Sequence, residues 1–82
     1  MFVHKDNMLK ANFKFPNFTR AFAFMTEVAF LAEQQNHHPN WSNVYNVVEI
    51  NLTTHDQGNV VTQKDHTLAA AIESVYQKYI VD

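Results

Sequence analysis

Cysteine is absent from the chain, which excludes a disulfide framework and any thiolate zinc site. Glycine occurs once and proline twice, beside a hydrophobic fraction of 46%, so a low-complexity or disordered chain is excluded. Lys and Arg number six against eight Asp and Glu, for a formal net charge of −2. No basic cluster is present, which argues against a nucleic-acid partner. No long apolar run occurs at the start or elsewhere, so neither a signal peptide nor a membrane span is expected, and a cytoplasmic protein is. The 82 residues suffice for one domain, 1–82. A core that small often gains from self-association, so a homo-oligomer is expected, dimer or tetramer.

What is present is regular. Phe2 to Lys5 suits a short strand, and Asp6-Asn7 tolerates a tight hairpin turn. Leu9, Ala11, Phe13 and Phe15 then alternate with Met8, Lys10, Asn12 and Lys14, the period of a half-buried strand, until Pro16. Asn17 is a natural N-cap. Phe18, Ala21, Phe22, Met25, Val28, Ala29 and Ala32 follow at helical spacing and are expected to face the sheet. Phe24 and Leu31 fall on a neighbouring stripe, where a subunit contact is expected.

A short strand, Trp41 to Tyr45, and a turn at Asn46-Val47 come next. Val48, Ile50, Leu52 and Thr54 alternate with Glu49, Asn51, Thr53 and His55, the longest strand signal and hence a central strand. Thr62-Gln63-Lys64-Asp65 is a capping-box pattern opening a second helix, with Leu68, Ile72, Val75, Tyr76 and Tyr79 as its apolar stripe. The order β-β-α-β-β-α predicts an α+β two-layer sandwich, a four-stranded antiparallel sheet with both helices on one face.

Function points to Glu33-Gln34-Gln35-Asn36-His37-His38-Pro39-Asn40-Trp41, with His55 as a distant partner. Imidazole titrates closest to neutrality of all side chains and can give or take a proton. Pro39 pushes His38 out of the helical region and fixes the exit from the helix. Trp41 offers a flat apolar face suited to a planar heterocycle, although a tryptophan is by default a core residue. Glu33, one helical turn before His37, can orient an imidazole or simply be solvated. A lone histidine at a strand end, as His55 is, is more often a surface residue. A facial metal set of imidazoles with Glu33 or Asp56 is the weaker alternative, because adjacent histidines in extended chain point to opposite sides. His4 and His66 have no supporting neighbours, and helix capping by itself explains Asp65.

These residues carry a resemblance. Glu33-x-x-x-His37-His38-Pro39-x-Trp41, Asn43-Val44-Tyr45-Asn46, Thr53-Thr54-His55-Asp56 and Thr62-x-x-Asp65 resemble the pterin-4a-carbinolamine dehydratases, also known as dimerisation cofactors of a hepatocyte nuclear factor. The likeness runs from Leu9 to Tyr79. It implies a lyase that dehydrates 4a-hydroxytetrahydropterin to quinonoid dihydropterin, recycling the cofactor of an aromatic amino acid hydroxylase. The pterin is then the substrate, and no cofactor or metal is implied. His37, His38 and His55 fall on the histidines that line the family's pterin site. Glu33, Pro39, Trp41 and Asp56 fall on its substrate-binding positions. The chemistry needs a proton delivered to the leaving 4a-hydroxyl and one taken from the adjacent ring nitrogen. His37 and His55 are assigned to that pair, and His38 to holding the ring. The rival reading is a non-catalytic interaction module. Members of the family usually carry a helix before the first strand, and the loop 56–62 looks one residue longer than the commoner form.

Overall fold

The computed structural model describes residues 1–80. Strands β1 (Val3–Lys5) and β2 (Met8–Lys14) are joined by Asp6 and Asn7, both at positive φ, the left-handed pair that a two-residue hairpin demands. Helix α1 (Phe18–Gln35) follows, then β3 (Asn40–Val44), β4 (Val47–Leu52), a 3-10 turn (His55–Gln57) and α2 (Gln63–Ile80). The sheet is antiparallel throughout, in the order β1-β2-β4-β3. Both helices pack on one face, as the element order predicts. The tight turn falls at Tyr45-Asn46, one residue before the expected place, with Tyr45 at φ 50°.

Alternation in β2 puts Leu9, Ala11 and Phe13 opposite Leu52, Ile50 and Val48 of β4, and all six are buried. Against them α2 lays Leu68, Ala69, Ile72 and Val75. Complete burial of one such Leu, Ile or Phe side chain is worth about 1.5–3 kcal/mol, so this layer dominates the stability.

Helix α1 is rotated from the expected orientation. Ala21, Phe24, Val28 and Ala32 are its buried residues, and Leu31 is half-buried against the core. Phe18, Phe22 and Phe30 are 47%, 55% and 72% exposed. The buried arc is turned by roughly 60° from the predicted one. The cause is the second helix: α1 fills the groove between the sheet and α2, not the sheet alone. Phe24 therefore inserts among Phe13, Phe15, Tyr76 and Tyr79, at centroid distances of 5.1, 4.9, 5.9 and 5.9 Å. The expected subunit contact at Phe24 and Leu31 is corrected accordingly. The apolar surface that α1 presents outward is instead Phe18, Phe22 and Phe30.

Candidate functional site

Helix α1 delivers the first two histidines by the way it stops. Asn36 takes the left-handed conformation (φ 51°), and the His37 N–H closes back on the Ala32 carbonyl at 3.0 Å. This Schellman ending turns the chain sharply, so that His37 points inward and His38 outward. His37 is 11% exposed at the side chain and His38 58%. Pro39 then commits the chain to β3.

His55 arrives from the other direction. β4 ends at Leu52, Thr54 makes an isolated antiparallel bridge to Val60, and the 3-10 turn begins at His55. The imidazole Nδ1 is 2.7 Å from Asn59 Oδ1. An amide oxygen can only accept, so Nδ1 carries the proton and Nε2 is the free nitrogen.

Between these segments lies a cleft of about 330 Å³ whose lining includes His37, His38, Pro39, His55, Asp56 and Lys64. It is within the usual range of small-ligand sites, about 300–1,000 Å³. Five of the seven site residues expected from sequence thus open on one cavity: His37, His38, His55, Pro39 and Asp56. Two do not. Glu33 bonds His38 Nε2 at 2.9 Å, not His37, and both groups are largely exposed. Trp41 pairs across the sheet with the core residue Ile50, which puts it on the helix-covered face. There it lines an apolar groove with Phe22, Met25 and Phe30. The wall expected of Trp41 is formed instead by Pro39 and Asn40.

Sequence reasoning missed Asp65. It does cap α2, accepting from the Thr62 N–H at 2.9 Å. Its other contacts belong to the cleft: Oδ1 is 2.6 Å from His37 Nε2, and the Thr54 hydroxyl donates to Oδ2 at 2.7 Å. The Thr54 and Thr62 hydroxyls are themselves 2.7 Å apart. Asp65 is fully buried. Burial pushes its carboxyl upward, but the hydrogen bonds from His37, Thr62 and Thr54 outweigh it and hold the group below the ordinary aspartate value. The carboxylate is therefore ionised and accepts from His37 Nε2–H. In the neutral ring that leaves Nδ1 with the lone pair. A signal was available in the sequence: Asp65 sits three and four residues before Leu68 and Ala69, on the stripe that α2 buries.

Among the described residues no three His, Asp or Glu side chains meet in an arrangement that could hold a metal ion. No helix among them is long and apolar enough to cross a membrane.

Residues 2–75 match the family model described as pterin 4 alpha carbinolamine dehydratase. The chain belongs to that family. It is similar to proteins named "Putative pterin-4-alpha-carbinolamine dehydratase" from Prochlorococcus marinus strain NATL2A and from Christiangramia forsetii. The first is 54% identical over 70 residues, 85% of this chain and 73% of the relative. The second is 52% identical over 75 residues, 92% and 76% of the two chains. The fold matches the crystal structure of a transcriptional coactivator/pterin dehydratase from Brucella melitensis, with a TM-score of 0.84 and 37% identity. That match covers 93% of this chain and 80% of the other. A pterin dehydratase-like protein identified as a RuBisCO assembly factor in the alpha-carboxysome matches with a TM-score of 0.74 and 25% identity, over 93% and 87% of the two chains.

Proposed function

We propose that this protein dehydrates a 4a-hydroxytetrahydropterin to the quinonoid dihydropterin, releasing water, and so serves an aromatic amino acid hydroxylase that consumes tetrahydropterin. The observation that carries the reading is the convergence of His37, His38 and His55, from two separate segments, on one ligand-sized cleft. Family membership supports the same chemistry.

The hydrogen bonds support one division of labour. His37 donates from Nε2 to an ionised carboxylate, so a proton gained at Nδ1 makes an imidazolium already neutralised by Asp65. That suits it to take the proton from the ring nitrogen next to C4a. His55 keeps its Nδ1–H on the Asn59 amide oxygen, so in the imidazolium form the second proton sits on Nε2. That suits it to protonate the departing hydroxyl. As water leaves, C4a and the nitrogen become double-bonded. The two protons balance, and the pair returns to its starting state by exchange with solvent. General acid–base assistance of this kind is typically worth about 10²–10⁴-fold. His38, its Nε2 held by Glu33, holds the ring by its edge.

The test is a stopped assay on freshly generated 4a-hydroxytetrahydropterin, with and without a chelator. The variant is His37→Gln combined with His55→Ala, since glutamine can still donate to Asp65. Loss of turnover in a folded variant is expected; turnover equal to that of the unchanged protein overturns the mechanism.

A second reading, an interaction module, is favoured by one observation: Phe18, Phe22 and Phe30 of α1 are exposed, and Phe22 and Phe30 line an apolar groove with Trp41. This surface would serve self-association, as dimer or tetramer, or a protein partner. Phe22→Ser with Phe30→Ser should lower the sedimentation coefficient and spare dehydration if self-association uses it. An unaltered coefficient removes it from the oligomer contact.

A further inference from the structure

The histidine cleft is not isolated. A second hollow of about 410 Å³, lined by Gln35, His37, Gln63, Lys64 and Thr67, shares His37 and Lys64 with it. From this shared lining we infer that the second hollow is the subsite for the substituent of the ring, and that it selects pterins whose side chain ends in an anion, carboxylate or phosphate. The inference rests on the ring occupying the histidine cleft. With the ring placed in that cleft against His37, a long substituent directed past His37 would reach the second hollow.

The lining decides the chemistry. Methylene stems of Gln35, Gln63 and Lys64 offer an apolar run for a spacer, and their ends offer donors. The Gln63 carboxamide is steadied by donating to the Thr67 hydroxyl at 3.3 Å. No carboxylate lines this hollow. Asp65, behind His37, is enclosed and already receives three hydrogen bonds. Asp56 lines the histidine cleft only. Lys64 is the one Lys or Arg of the lining, and among the described residues its ammonium has no ion pair or hydrogen bond, as is also true of Lys5 and Lys14. An ammonium on the lining that both hollows share, with no carboxylate in the second, favours an anion placed there.

An exposed ammonium–anion pair changes affinity by roughly two- to five-fold. The experiment measures Kd for 7,8-dihydrobiopterin (neutral tail), 7,8-dihydrofolate (carboxylate tail) and 7,8-dihydroneopterin monophosphate at low salt. Anionic tails should bind tighter by about that factor, with the preference shrinking as salt is raised. Lys64→Met should bring the ratio of neutral-tail to anionic-tail Kd to about one, and Lys64→Arg should retain it. Thr67→Glu, which touches only the second hollow, should invert it. A gain for one anion alone narrows the substrate to that source and supports the subsite. Equal Kd across all tails, or a ratio unchanged in Lys64→Met, overturns the subsite while leaving the ring site standing. Failure of the unchanged protein to bind any of the three overturns both.

Discussion

His37 Nε2 lies 2.6 Å from Asp65 Oδ1, joining the end of α1 to the start of α2 across 28 residues of sequence. The same carboxylate takes the hydroxyl of Thr54, the residue before His55. One buried side chain thus fixes where both proposed proton carriers stand.

Asp65→Asn tests that dependence. The amide keeps the shape but can donate, which disturbs the assigned His37 tautomer and removes the charge behind it. Turnover is expected to fall by about 10²-fold, toward the lower bound for acid–base assistance. The loss should appear in kcat per folded molecule; a merely structural role would leave that value in place. Stability should fall by about 1–3 kcal/mol for the mismatched buried group, read from the urea midpoint.

The lowered Asp65 carboxyl also fixes a pH dependence of stability. A group whose folded value lies below its unfolded one, about 3.9, stabilises the protein at pH above that unfolded value. The contribution is lost as pH falls through the depressed folded value. Acid unfolding should therefore be steeper in the unchanged protein than in Asp65→Asn, with the two stability curves converging at the acid end. Glu27 is lowered too, chiefly by its hydrogen bond from Lys78 and then by that from Tyr79, against some burial. It is a surface group, so Glu27→Gln should have a small effect that vanishes in high salt.

The rotation of α1 predicts a contrast between two phenylalanines. Phe24→Ala empties the ring cluster between the sheet and α2 and should cost about 3–5 kcal/mol. Phe30→Ala, at a position 72% exposed, should change monomer stability by no more than about 0.5 kcal/mol. Thermal or urea unfolding of the pair reads this directly. Comparable losses would contradict the packing.

Asn59 offers a test confined to one imidazole. It sits at φ 60°, with its side chain on His55. Asn59→Gly keeps the backbone conformation and deletes the hydrogen bond. Turnover should fall about ten-fold with little change in the unfolding midpoint, because His55 is exposed and is left with free rotation.

Where local chemistry decides, the sequence was readable. Alternation in residues 8–15 and 48–52, the Asn17 cap and the hairpin at Asp6-Asn7 depend on neighbours in the chain, and the structure agrees at each. The alternation expected to run on to Thr54 stops with β4 at Leu52, beyond which Thr53 and Thr54 are both buried. Strand β4, though central, is one residue shorter than β2. The histidine pair was readable because Pro39 and the end of α1 are adjacent to it. Helix α1 was not, since Phe, Ala, Met, Val and Leu occupy most of its circumference and periodicity then leaves the buried arc ill-determined. Only contact with α2 decides it. Trp41 was misplaced because its surroundings depend on the cross-strand partner Ile50, and register is a tertiary property. Asp65 escaped because capping already accounted for it, and a residue with one sufficient explanation hides a second.

The Asp65 hub also ties inactivation to denaturation. Its three donors come from the exit of α1, the strand end and the helix entry, segments that meet only in the native chain. Heat inactivation should therefore superimpose on the loss of near-ultraviolet circular dichroism, with no half-unfolded species that still turns over.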